Sequence, residues 1–249
     1  MQKIIKNLFF IGIFVCILSI FLILGTYSAM KPNLPQIKYV NESELQMPLK
    51  VYTKDGVLIG EFGEIKRRAT SFNDIPENIK NAFLSAEDDN FFNHQGISYS
   101  GLIRSFVRCL RPSGCQGGGG TITMQVVRGY LLTPEQTIVR KIKEIFLALE
   151  LESNIDKEEI FELYVNRIFL GNRSYGIEAA ANTYFNKNLY DLSISESATI
   201  AAIAQLPSRI NPVKNLRRTL QRRDWILSRM YLLNHIDKNE YLEAISEDI

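Results

Sequence analysis

The stretch AEDDNFFNHQG, Ala86 to Gly96, sets three carboxylates and two phenylalanines at the end of a helical pattern that begins near Asp74. On that helix positions 79, 83, 86/87 and 90/91 share a face, so Glu87 stands four residues from Phe83 and four from Phe91. Apolar flanks disfavour the ionised carboxylate and raise its pKa towards values useful for proton transfer. Asp88 and Asp89 point elsewhere and can stay charged. A solvated acidic run at a helix end would use the same residues, and this stretch alone leaves both readings open.

Downstream the pattern stays helical. Asp74 with Glu77, Asp156 with Glu159, Ser193 with Glu196 and Asp237 with Glu240 have the spacing of capping boxes. Pro76 falls in a first turn, where its missing N–H costs little. Leu216, Leu220, Leu227 and Met230 to Leu233 mark a long helix, basic elsewhere through Arg217, Arg218, Arg222, Arg223 and Arg229. Upstream, VYTKDGVLIGEF (Val51 to Phe62) places Asp55-Gly56 between β-formers, a hairpin signal. Residues 31–48 hold three prolines and little periodicity, as a linker does. The expected fold class is mainly α with one small N-terminal β-hairpin.

The N-terminal end differs in composition. LFFIGIFVCILSIFLIL, Leu8 to Leu24, is almost wholly apolar, and no charge occurs from Leu8 to Met30. About 20 apolar residues cross a bilayer as a helix. Lys3 and Lys6 precede the run, which keeps the N-terminus cytoplasmic and puts everything after Lys31 outside. A cleaved signal peptide is the rival reading, although signal cores are typically about 7–15 residues. The expected division is 1–30 stub and transmembrane anchor, 31–70 linker and hairpin, 71–249 helical domain. Cys109 and Cys115 would lie outside, where disulfides persist. Their segment CLRPSGC is short enough to close a loop, while helical geometry at Cys109 would point the sulfurs apart.

Composition excludes several classes. Twenty-nine Lys and Arg against 27 Asp and Glu give a net charge of +2, unlike a dedicated nucleic-acid binder. Two histidines and three cysteines do not cluster at zinc-ligand spacing. Neither a G-x-G-x-x-G opening a βαβ unit nor a G-x-x-x-x-G-K-[ST] occurs, which argues against dinucleotide and phosphate-loop enzymes.

Four further stretches follow the first. GGGGTITMQVVR (Gly117 to Arg128) reads as a flexible loop entering a helix, whose freed amides could face phosphate oxygens with Arg128 adding charge. A plain mobile loop fits equally. RKIKEIFLAL (Arg140 to Leu149) is apolar all round from Ile145 to Leu149 and should be buried. Burying Glu144 alone would be costly, and Arg140, four residues earlier, is a ready partner, whether for function or for structure. The fourth stretch joins EIFELYVN (Glu159 to Asn166) to GNRSYGIEAAA (Gly171 to Ala181). The fifth is LSISESATIAAIAQLP (Leu192 to Pro207), continuing to Asn211-Pro212. By themselves these last two are scaffold helices.

In this order and spacing the five stretches resemble the peptidoglycan glycosyltransferases of glycosyltransferase family 51, including the glycosyltransferase portion of class A penicillin-binding proteins. The similarity covers about 200 residues and stops where a transpeptidase domain would begin, which suggests a monofunctional transglycosylase. The resemblance implies a lysozyme-like glycosyltransferase domain with a membrane-facing lobe. It implies polymerisation of lipid II, the undecaprenyl-diphosphate-linked disaccharide pentapeptide, at the inner (cytoplasmic) membrane. Glu87 matches the catalytic Glu of E-D-x-x-F-x-x-H-x-G, with Asp88, Phe91, His94 and Gly96 matching the rest. Glu144 matches the second essential Glu, in R-K-x-x-E with Arg140 and Lys141. Thr121, Thr123 and Gln125 match the glycine-rich motif, and Arg104 a basic substrate-contacting position. Arg128 stands where the family usually has Lys. The sequence departs from the pattern at Gly120 (for Ser), Met124 (for Gln), Gly129 (for Asn) and Gln136 (for a basic residue).

Implied partners are lipid II, the growing glycan strand, the bacterial membrane and transpeptidases of wall synthesis, with no nucleic acid. No organic cofactor is implied, and a divalent cation such as Mg2+ is a candidate. Two other readings are a lytic, glycan-cleaving enzyme with one carboxylate in an apolar pocket and a non-catalytic membrane-anchored scaffold.

Overall fold

Helix-forming segments with one apolar stripe must stack those stripes together, and among the described residues eight α-helices do so. The computed structural model describes residues 10, 14, 18, 21, 25–35, 37, 49–55, 58–62, 70–101, 103, 120–133 and 137–248. The helices are α1 (Glu77–Glu87), α2 (Ile122–Leu131), α3 (Ile138–Glu152), α4 (Lys157–Arg167), α5 (Ile177–Phe185), α6 (Ile194–Gln205), α7 (Pro212–Leu232) and α8 (Lys238–Ser246). Two short strands, β1 (Leu49–Tyr52) and β2 (Leu58–Phe62), pair antiparallel with Leu49 opposite Phe62 and a register irregularity at Val51/Tyr52.

Helix α6 is the centre. Every residue from Ser195 to Ile203 is buried, and α1, α5, α7 and α8 pack around it. Small residues on all its faces, including Ala198, Ala201 and Ala202, allow that enclosure. On the other side α2 packs against α3 and α4. One contiguous core runs from Ile75 to Ala244, and Leu34 and Ile37 lie half-buried against it, so this part of segment 31–48 is packed rather than a free linker.

Capping follows the sequence at two of the four expected boxes. Ser193 with Glu196 and Asp237 with Glu240 close reciprocally over the first turns of α6 and α8. The other two do not form. Asp74 ends a 3-10 turn and accepts from the Ser71 hydroxyl, while α1 starts three residues later behind Pro76. Asp156 precedes α4 without a side-chain bond to it. The helix carrying Glu87 also stops at Glu87, so Phe91 sits in a separate 3-10 turn and does not continue the Phe83–Glu87 face. Burial of α3 from Ile145 to Leu149 is one-sided. Leu147 and Ala148 are enclosed, but Leu149 is 39% exposed, because α3 packs mainly on α2. Its outer face meets the Tyr27 ring through Phe146, 5.1 Å between centroids.

Most of the expected anchor, with Lys3, Lys6 and Cys16, lies outside the described residues. So do Arg104, Cys109, Cys115, Gly117 to Gly119 and Gln136. Among the described residues no helix is long and apolar enough to cross a membrane.

Candidate active site

Helix α1 buries Ile79, Ala82, Phe83 and Leu84, and Glu87 follows four residues after Phe83 on the same face. The chain leaves the helix at Asp88, and a set of buried bonds then fixes what Glu87 faces. Asp88 is 6% exposed. Its carboxylate accepts from the Ile122 amide at 3.0 Å, at the start of α2, and meets His94 Nε2 at 3.0 and 3.1 Å. An anionic oxygen at a helix N-terminus satisfies a free amide and complements the dipole. Thr121 caps the same helix, accepting from Met124 N at 3.2 Å while its hydroxyl donates to Gly96 O at 2.6 Å. Gly96 has φ +78°, and a Cβ there would meet Ala148 O of α3 at 2.7 Å, so only glycine lets this loop lie flat on α3. The first stretch, the glycine-rich stretch and α3 are thereby locked together.

That lock brings Gln125 to Glu87, with Gln125 Nε2 donating to Glu87 Oε2 at 3.0 Å. The Glu87 carboxyl is half-buried. Burial pushes its pKa above the ordinary 4.5, with nearby Asp88 adding a little. The Gln125 hydrogen bond and the charges of Arg222 and Arg128 pull the other way. Tyr164 lies close enough to feel both Glu87 and Arg128, and its own hydroxyl is pushed well above its usual range, chiefly by burial.

Arg222 was not singled out by sequence reasoning. It comes from α7, 135 positions after Glu87. Its guanidinium donates to Ala86 O at 3.4 Å and lies 4.0 Å from the Trp225 ring centroid. Burial works against its charge and Glu87 supports it. Arg229, two turns further along the same face of α7, pairs with Asp89. Nothing local distinguishes Arg222 from the other arginines of that basic helix.

Glu144 is 1% exposed, and both carboxylate oxygens are taken, one by Arg140 and one by Lys141 Nζ at 2.8 Å. Lys141 Nζ also lies 3.8 Å from where a Cβ on Gly120 would stand, so Glu144 holds an ammonium against the glycine-rich segment. Such a carboxylate fits poorly as a metal ligand. Among the described residues no group of three His, Cys, Asp or Glu could hold an ion.

Several residues expected to touch substrate are instead enclosed. Phe91 is fully buried against Phe161 and under Lys157 Nζ at 4.3 Å. Thr123 donates to Glu152, which also binds Lys157 Nζ at 2.7 Å. Asp88, Thr121 and the Nε2 atom of His94 are engaged in the lock described above, while His94 Nδ1 is buried without a partner. These five build the frame. Glu87, Gln125, Arg128 and Lys141 keep partly or largely exposed surface.

A family model described as Transglycosylase matches residues 55–231. A penicillin-binding protein 1A of Pseudomonas aeruginosa is 50% identical over 225 residues, 90% of this chain and 27% of that protein. The Haemophilus influenzae protein of the same name is 46% identical over 208 residues, 84% of this chain and 24% of that protein. A crystal structure of penicillin-binding protein 1A from Haemophilus influenzae covers 82% of this chain and 21% of that one, at 33% identity and a TM-score of 0.47. The chain thus spans about a quarter of the length of these relatives. The family match takes in well over half the chain and every residue from Glu87 to Arg222 named above. The chain therefore belongs to the transglycosylase family, the peptidoglycan glycosyltransferases of glycosyltransferase family 51.

Proposed function

We propose that this chain polymerises lipid II into β-1,4-linked glycan, with Glu87 as general base. The observation that carries the reading is a carboxyl desolvated by its surroundings yet hydrogen-bonded by Gln125, with Arg222 and Arg128 acting on it. Burial raises its affinity for a proton, and the two guanidiniums oppose that rise. A base of that kind suits abstraction from a sugar hydroxyl, a poor nucleophile by itself.

In the proposed reaction the acceptor 4-hydroxyl oxygen bonds to C1 of the donor sugar, and its proton passes to Glu87. The C1–O bond to the diphosphate breaks with its electron pair, and undecaprenyl diphosphate leaves. One displacement inverts the anomeric carbon of an α-linked donor. The leaving group needs positive charge more than a strong acid. Lys141 and Arg140, oriented by Glu144, and Arg128 supply it.

The apolar segment Leu8 to Met30 fits an anchor that holds the site beside a substrate whose tail lies in the same bilayer, with the N-terminus in the cytoplasm and the helical domain outside. Transpeptidases that cross-link the finished strand are the proposed partners.

Gel analysis of labelled lipid II tests this. Wild type should give a ladder of polymer. Glu87→Gln should lose about 10^2–10^4 of the rate with no fall in its melting temperature. Polymer at the wild-type rate from Glu87→Gln would remove the base from the mechanism. Soluble fragments from finished peptidoglycan, with no polymer from lipid II, would point to cleavage instead.

A further inference from the structure

Trp225 is the chain's single tryptophan, and it stands on α7 with 43% of its surface exposed. The Arg222 guanidinium holds it there, with its central carbon 4.0 Å from the ring centroid. The cation covers one face of the indole, so the surface left open is the other face and the ring edge. Arg222 in turn reaches the carbonyl of Ala86, the residue before Glu87, at 3.4 Å. A single side chain thus ties the exposed ring to the carboxylate of the candidate active site. Arg229, about one turn after Trp225, pairs with Asp89, two residues past Glu87. The open ring is bracketed by two arginines that both reach the C-terminal end of α1.

The surroundings of the ring are polar. Arg218 and Gln221 are exposed on the same stripe of α7, seven and four residues before Trp225, and the Arg229–Asp89 pair borders it on the other side. A flat apolar surface edged by hydrogen-bonding groups is what a pyranose ring needs. In a β-1,4-linked hexosamine the ring substituents are equatorial, so each face presents a patch of axial C–H groups. Those C–H groups pack on the negative face of an indole. The hydroxyl and acetamido groups project around the edge, where Gln221, Arg229 and Asp89 can exchange hydrogen bonds with them. A contact with lipid tails would draw Arg218, Gln221 and the ion pair out of water together with the ring, which an apolar layer opposes.

We propose that Trp225 is a saccharide platform, on which one β-linked hexosamine of the glycan packs at a distance from Glu87 that Arg222 fixes. This deepens the polymerase reading and rests on it for the identity of the sugar. Holding one ring of the chain in a set orientation restricts where its neighbour can lie, which is how binding away from the reacting atoms aids the reaction.

The single tryptophan makes the test direct. The full chain in detergent, in a Glu87→Gln background so that no turnover intervenes, is titrated with chitotetraose. This probe has the β-1,4 linkage and carries neither lipid nor phosphate. Indole emission should change saturably, and calorimetry should give the same affinity. Trp225→Ala should bind about tenfold or more weakly, and Trp225→Phe should recover part of the loss. Circular dichroism controls folding of each variant. A second arm places the full chain in phospholipid vesicles with brominated acyl chains, which quench an indole that enters the bilayer. Quenching there, with no response to chitotetraose, would assign the ring to the membrane and overturn the platform. So would silent emission in both arms, or equal chitotetraose affinity in the parent and Trp225→Ala. The proposed function fails separately: a chain that makes no polymer from lipid II but binds chitotetraose through Trp225 loses the polymerase reading and keeps the platform.

Discussion

Replacing Asp88 by alanine should cost the fold heavily, and the size of the loss follows from what its carboxylate does. Two buried donors depend on it, the Ile122 amide and His94 Nε2. Each, left without an acceptor, costs about 1–3 kcal/mol. The lost charge at the start of α2 adds about 0.3–1 kcal/mol. The sum is about 2–7 kcal/mol, centred between about 4 and 5. At roughly 2–4 °C per kcal/mol for a chain of this size, the midpoint should fall by about 9–19 °C. Asp88→Asn keeps one oxygen in place for Ile122 and should lose only about 1–2 kcal/mol. Thermal melts by circular dichroism at fixed pH and ionic strength, in the detergent used for lipid II assays, measure both. An Asp88→Ala chain that melts with the wild type but no longer turns over would refute the assignment. Asp88 would then meet the substrate instead of joining α1 to α2.

Three other outcomes follow from the same geometry. Burial raises the Glu87 pKa above 4.5 in the folded chain, so its favourable share of stability is present below the unfolded value and fades as pH rises through the folded one. Glu87→Gln should therefore melt with the wild type near pH 4 and above it at pH 8, and a wild type that melts higher at pH 8 contradicts this. Arg222→Gln removes a charge that favours the ionised base, so the acid limb of kcat/KM should move to higher pH, with activity regained in alkali. An unmoved limb would sever Arg222 from Glu87. Gly96→Ala forces a side chain into a left-handed conformation against Ala148 O, which costs about 1–3 kcal/mol before any clash. Its melting point should drop by several degrees, and a wild-type value would show that the loop can lift from α3.

The parts of this fold that were legible in sequence are those whose partners are close along the chain. Ser193 finds Glu196 three residues on, and Arg140 finds Glu144 four residues on, so spacing alone suffices. Asp74 and Asp156 have the same spacing as working caps yet form none, and in the case of Asp74 the Ser71 hydroxyl takes the carboxylate. The helix end at Glu87 was hidden for a related reason. Asp88 leaves the helix to reach Ile122, 34 residues away, and takes Phe91 off the expected face. The raised proton affinity of Glu87 was foreseen in direction, but its immediate polar partners are Gln125 and Arg222. Periodicity sees one helix at a time, and Arg222 reaches the carboxylate only because α7 packs on α1.

That last contact makes α7 as sensitive to loss as the helices that carry the matched stretches. A stop codon just before Pro212 would preserve all five matched stretches almost intact, and a motif search would still score the product as a complete enzyme. Such a product would have lost the cation that steadies Glu87 and the helix that covers one side of α6. Deletions that remove α7 should therefore behave as full losses of function.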